Sequence, residues 1–409
     1  NMCGRVSRPV RIFSLGIARA GRLWRAVPTC SIAVLGFPLV AARPRCGIRG
    51  VFLSSKYMKC YPEVIESYYL ESDEGLFFAV KGLEHPPDRW IGVLRYAPDA
   101  EHGDRKKDEM RYRRLYHFAE QEDLLRSLYP QYLAYDAVFH ATLQSVPQSR
   151  VRRVYDPRVR LLEMAAGAAA SGIESDAVSF AGLLQKSARV PPSAIGISGS
   201  VLIGLHTEHS DLDFSVFGTE NCRKIYEALG SLLRSDFADG PRRLEINAIK
   251  ELYHQRETGT HVFFDKFVDV EKNKVCQGSF RRRPYFIRFI KEAHEWSPIY
   301  GSVRYTPLGR TKITAKIHDD REAIFTPCKY VLSDVNVLEG PPLFVREIVS
   351  FRGRFCEQAR TGQSVTAAGT LESVENSRGE IKYRLLLGSS PEDMMVPTDL
   401  DWHSCEPLP

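Results

Sequence analysis

Nine cysteines occur along the 409 residues, yet no two of them form a Cys-x-x-Cys pair. That spacing excludes a zinc ribbon and a dense disulfide framework, so reduced thiols in a cytoplasm are expected. Acidic residues are missing altogether from residues 1–57, which hold nine arginines and Lys56. The net charge of +6 therefore belongs to this leader, because the remainder carries 46 basic against 50 acidic residues. A slightly acidic body gives no general reason to bind nucleic acid. Long apolar runs are lacking as well: Ala26 to Ala42 is seventeen uncharged residues broken by Pro28 and Pro38. A spanning helix wants about 20 apolar residues, so no membrane partner is expected. An Arg-rich, acid-free start also suits a secretory or transit peptide. Ordinary sequence begins just after Met58, however, and the favoured reading is a disordered or non-native extension upstream of it.

What is present is concentrated between Ile195 and Gly218. Gly199 and Ser200 are followed by ten residues and then by Asp211 and Asp213 in an apolar run. Alternate residues of a strand share a face, so the two aspartates project together while Leu212 and Phe214 go to the other side. Adjacent carboxylates repel, and a divalent cation removes the conflict. Oxygen-only ligands suit Mg²⁺ or Mn²⁺, which complete their shell with water and substrate phosphates. A nucleoside triphosphate is the natural third party. Upstream, Ile195 to Ile197 reads as a short buried strand, and Val201 to Leu205 opens a helix. The free N–H groups of that helix and the Ser200 hydroxyl would face the phosphates, while Gly199 lets the backbone approach them. An ordinary turn beside a solvated strand edge is the plainer alternative. Such an edge rarely joins two same-face acids to Phe214, Val216 and Phe217.

Gly-Ser, a spacer of this length and Asp-x-Asp in an apolar strand together resemble the signature of the DNA polymerase beta superfamily of nucleotidyltransferases. The resemblance implies that Gly199 and Ser200 hold the triphosphate and that Asp211 and Asp213 bind the metals driving nucleotidyl transfer. From about Tyr68 onward the chain also resembles a group of archaeal predicted nucleotidyltransferases, notably at Gly-Leu-His-Thr (204–207) and Ile-Phe-Thr-Pro-Cys (324–328). That group implies a fold and a reaction class but no acceptor. The family also implies a third carboxylate on a later strand. Glu245 and Asp269 are candidates, although both segments show helical spacing, and the cleanest later strand, Tyr285 to Ile290, carries Arg288 instead.

Elsewhere, Leu76 to Val80 and Trp90 to Tyr96 read as strands around an exposed turn at His85–Asp88. Asp104 to Tyr129 reads as one helix with a basic face of Lys106, Lys107, Arg111, Arg113 and Arg114. Helices are expected from Pro157 to Ala170, Ser175 to Ala188 and Glu220 to Leu233. Arg281 to Arg283 could clamp phosphates or form a solvated charge run, and His206 and His209 are taken as loop residues. Beyond Gly301 short alternating runs suggest a barrel or sandwich, with a hairpin turn at Asn376 to Gly379.

The expected fold class is α+β. A nucleotidyltransferase core with a mixed sheet and flanking helices (151–300) follows an α+β region (58–150) and precedes a small all-β barrel-like domain (301–409). The expected activity is metal-dependent transfer of a nucleoside monophosphate to a hydroxyl, with RNA among the candidate acceptors and pyrophosphate as product. A silent nucleotide- or RNA-binding module and a phosphohydrolase are the rivals. Acceptor, nucleobase and oligomeric state stay open.

Overall fold

A computed structural model describes residues 63–167, 172–235, 237–256 and 263–398. The leader, and the expected start at Met58, lie outside the described residues. The described chain is mixed α+β, with several sheets and seven α-helices.

The first sheet is built from β1 (Tyr69–Ser72), β2 (Phe77–Val80), β3 (Arg89–Pro98), β4 (Arg105–Lys107), β5 (Met110–Arg114), β6 (Leu133–Asp136), β7 (Ala141–Pro147) and β8 (Val151–Tyr155). Its main path runs β4-β5-β3-β2-β1-β8, while β7 joins both β3 and β6. Both faces are used. One buries Leu70, Phe78, Val80 and Leu94, and the other buries Phe77, Tyr96 and Tyr112. The single helix expected over 104–129 is replaced by the β4–β5 hairpin and a shorter α1 (Phe118–Leu128). Lys107 pairs with Met110 across a two-residue turn. Asp108 enters it at φ 52°, a left-handed conformation that Asp tolerates better than most residues.

A four-stranded sheet follows, in the order β11-β12-β10-β9. Its strands are β9 (Ile195–Ile197), β10 (Leu212–Phe217), β11 (Gln277–Phe280) and β12 (Arg283–Ile290). β10 runs parallel to β12 and antiparallel to β9. The helices are α2 (Pro157–Ala166), α3 (Gly172–Ala188), α4 (Gly199–Ile203), α5 (Thr219–Arg234), α6 (Ile246–Arg256) and α7 (Phe264–Glu271). α2 starts where the sequence says it should, since Asp156 accepts the amides of Arg158 and Val159 and Pro157 sits in the first turn. Leu212, Phe214 and Val216 on one face of β10 pack with Phe180 of α3 and with Ile225 and Leu229 of α5. Phe217 and Ile290, on the other face, pack with Val64, Ile65 and Tyr68 against the first sheet. The sheet is therefore sandwiched between helices and β1–β8, and whatever polar group sits on the second face is partly sheltered.

The last region closes on itself. β13 (Val303–Glu322), β14 (Cys328–Glu339), β15 (Val345–Ser350), β17 (Ile381–Leu387) and β16 (Ser364–Asn376) form a ring, because β13 also pairs with β16. β18 (Met394–Pro397) adds to β16. The ring encloses Ile313, Tyr330, Ile348, Leu371 and Leu385, giving the all-β texture read from the sequence its own core. By alternation 324–332 and 334–338 read as two separate runs, but they are not two strands. β14 passes through Asp334, which takes φ 50° at an irregular point of the β13 pairing. Among the described residues no helix is long and apolar enough to cross a membrane.

Candidate active site

β9 ends at Ile197, and Ser198 turns the chain into α4. Its amide donates to the Asp213 carbonyl at 2.7 Å and its hydroxyl to the Ser67 carbonyl at 2.8 Å. Gly199 then takes φ 61°, and a Cβ there would collide with the Asp213 carboxylate. Glycine is thus demanded twice, by the backbone angle and by the close approach. Ser200 is half-buried in the first turn of α4, and its carbonyl accepts the Leu205 amide at 2.9 Å. The sequence motif accordingly folds into one compact knot: Gly199 lies against Asp213, fourteen residues later.

Asp213 is the second residue of β10, and its side chain is 27 % exposed on the face that also carries Phe217. Asp211 stands one residue before the strand begins and is solvent-accessible. Even so, partial burial and repulsion from Asp213 raise the Asp211 carboxyl above its ordinary range, with Arg114 opposing them. The two acids are therefore close enough to repel. An oxygen-only pair with a glycine backbone pressed against it fits a hard divalent cation that takes its remaining ligands from water and phosphate. Among the described residues no cluster of three or more His, Cys, Asp or Glu side chains is set to hold a metal by itself.

Neither candidate for the third acid stands on this sheet. Glu245 is exposed just ahead of α6, where its carbonyl accepts the Ile249 amide. Asp269 lies in α7 and pairs with Lys272 at 2.6 Å. The β12 side chain that reaches Asp213 is Arg288, which stands opposite Ser215 in the strand register and whose Nη1 approaches Asp213 Oδ1 at 3.4 Å. Burial works against the Arg288 charge, but Asp213, Glu66 and Tyr69 outweigh it and keep the guanidinium firmly protonated.

The loop from Gly204 to Asp211 is held from outside. Arg105 of β4 donates to Thr207 Oγ1 at 3.0 Å, and Lys107 donates to the Ile203 carbonyl at 2.8 Å and to Tyr155 Oη at 2.7 Å. Arg283 bonds the Glu208 carbonyl and carboxylate and also Asp176, which Arg281 shares. Arg281 and Arg283 are thus engaged in fixing the loop and α3, not left free to clamp phosphate. His206 is half-buried, and burial lowers its proton affinity. His85 is not the exposed turn residue expected: its Nδ1 accepts the Ile91 amide at 3.2 Å, and burial lowers its pKa to about 4.

The sequence reading missed the first sheet's share of the site. Lys107 and Arg114 read as part of a helix face and Arg105 is not singled out, because the period-2 alternation of β4 and β5 is too short to reveal itself. A cavity of about 240 Å³ between β3, β6 and β7 lies apart from the acid pair. Its Asp136 is satisfied by the Tyr300 hydroxyl at 2.9 Å and by two loop amides.

No protein-family model matches the chain, and no solved structure matches it. The chain is 28% identical over 332 residues to an uncharacterized protein of Methanocaldococcus jannaschii, an alignment covering 79% of this chain and 95% of that relative.

Proposed function

We propose that the chain is a metal-dependent nucleotidyltransferase with a core of the DNA polymerase beta type, working in the cytoplasm. The observation that carries this reading is the packing of Gly199 directly against Asp213, with Asp211 near enough to have its proton affinity raised. Phosphate-gripping backbone and paired acids thereby share one spot. Four cysteines, Cys222, Cys276, Cys328 and Cys356, are buried as free thiols, which supports a reducing compartment.

In this reading Ser200 and the amides following Gly199 hold the triphosphate of a nucleoside triphosphate. Asp211 and Asp213 would hold Mg²⁺ or Mn²⁺, which would supply charge neutralisation for the phosphates and a lower proton affinity for the acceptor hydroxyl. The hydroxyl oxygen bonds to the α-phosphorus, the bond from that phosphorus to the bridging oxygen breaks, and pyrophosphate leaves with the electron pair. The hydroxyl proton passes to water. Asp213 serves both as ligand and as counter-charge to Arg288, which orients its carboxylate.

The test is to incubate the protein with each labelled triphosphate, Mg²⁺ or Mn²⁺ and total cell extract, following label transfer and pyrophosphate. Transfer that disappears in Asp213→Asn and Asp211→Asn is the expected result. Activity persisting in the double variant removes the reading, and orthophosphate in place of pyrophosphate points to a phosphohydrolase. An arginine, Arg288, reaching Asp213 from β12 where an acid was expected favours a second reading, a silent nucleotide- or RNA-binding module. It predicts a thermal shift with triphosphate and Mg²⁺ but no pyrophosphate with any acceptor.

A further inference from the structure

The cavity of about 240 Å³ between β3, β6 and β7 shares no lining residue with the acid pair, and the transfer reading gives it no use. Its volume falls short of the roughly 300 Å³ at which drug-sized pockets begin. At about 30 Å³ per water it has room for about eight waters. The occupant it suits is a molecule of a few heavy atoms.

Charge decides which molecule. Asp88, Arg89 and Asp136 line the space, two acids against one cation. Arg89 is already engaged: Nε and Nη2 both donate to Asp88 Oδ2, at 3.2 and 3.1 Å, and Nη1 reaches the Ser145 hydroxyl at 3.5 Å. Asp136, at the end of β6, is only 8 % exposed. Its Oδ1 accepts the amides of Val138 and Phe139 at 2.8 and 3.1 Å, and its Oδ2 accepts the Tyr300 hydroxyl at 2.9 Å. All three donors are neutral, and among the described residues no Lys, Arg or His forms an ion pair with it. Asp136 is thus satisfied in hydrogen bonds but not in charge, and a buried charge without a counter-ion is costly. An ionised carboxylate offers about four acceptor sites, so one remains for a ligand.

The rest of the lining is apolar and aromatic, with Ile91 and Leu143 beside Tyr135 and Tyr300. Apolar walls receive a carbon skeleton, and aromatic faces attract organic cations. A metal ion fits less well, because no set of three His, Cys, Asp or Glu side chains among the described residues converges on one point. Tyr300 also fixes where a ligand would act. It lies just ahead of β13, and Phe139, in the loop that Asp136 caps, approaches its ring at 6.3 Å and stacks on Tyr305 at 5.2 Å. The cavity therefore stands at the joint between the first sheet and the start of the ring.

We propose that this cavity binds a small organic ammonium ion, with Asp136 as its counter-charge and its carbon skeleton against Ile91 and Leu143. The site is independent of the transfer reading and stands or falls without it.

Calorimetric titration of the full chain with n-butylamine, n-butanol and butyrate, at constant ionic strength, tests the class. The three share a short skeleton and differ in charge. Wild type should bind butylamine and ignore the other two. Asp136→Asn should weaken butylamine by about 10- to 100-fold, the range for losing a charge-assisted bond. Asp88→Asn removes the second acid and leaves Arg89 uncompensated, so it should weaken butylamine as well. The Asp88 side chain is 65 % exposed, so that variant folds even where Asp136→Asn does not. Wild type that fails to bind butylamine overturns the site. Butanol or butyrate binding as tightly as the amine overturns the ammonium class, and unchanged butylamine affinity in the folded variants overturns the placement in this cavity.

Discussion

Gly199 concentrates two demands on one residue, a left-handed backbone and a missing Cβ beside Asp213. Gly199→Ala should lower unfolding stability by about 1–3 kcal/mol, the usual strain at such a position, and abolish nucleotide transfer. Thermal unfolding read beside pyrophosphate release checks both. His85 gives a pH prediction. Its folded pKa of about 4 lies below the ordinary 6.5, so the folded state favours the neutral ring. Stability from this group is fully present above pH 6.5 and is lost as pH falls toward 4, by roughly 1–3 kcal/mol. Denaturant unfolding of His85→Asn across that window should show a flatter profile than wild type. Gly199, Ser200, Asp211 and Asp213 were legible in the sequence because one short segment carries them all. Arg105 and Lys107 were not, since the first sheet brings them to the segment between Ile203 and Asp211 and no local pattern announces it.

Among the elements, β10 and α5 were readable from apolar periodicity, and the β16–β17 turn at Asn376 to Gly379 from its Gly and Asn. The β4–β5 hairpin was hidden, because Tyr112, Leu115 and Tyr116 sit at spacings that also suit a helix. Its role is to brace α4 and the loop before Asp211. Lys107 makes two hydrogen bonds there and lies over the rings of Phe77 and Tyr155, while burial lowers its proton affinity. Lys107→Met keeps the stem and removes both bonds. The expected loss is about 1–3 kcal/mol in denaturant unfolding, with a rise in KM for triphosphate as the loop loosens. Unchanged stability and KM would mean that the hairpin merely covers the loop. β14 shows the converse error: Ile324 to Leu332 and Asp334 to Leu338 read as separate runs, but Asp334 marks an irregularity within one strand, a choice that pairing with β13 decides and the local sequence does not.

Across the whole molecule the ring is tied to the middle sheet through Glu357. Its carboxylate accepts the amides of Val275 and Cys276 and the Tyr226 hydroxyl, and it pairs with Arg360. Glu357→Gln turns an all-acceptor group into one with misplaced donors. It should cost about 3–5 kcal/mol in equilibrium unfolding, as when one partner of a buried charged network is lost. A loss under about 1 kcal/mol would show that apolar packing alone holds the regions together.

The reach of Glu357 has a practical consequence. Asp211 and Asp213 come from the centre of the chain, whereas the carboxylate that caps the Val275 and Cys276 amides comes from beyond β15. The acids cannot therefore be excised on a self-sufficient fragment: trimming at residue 300 would keep them and leave those two amides without their acceptor.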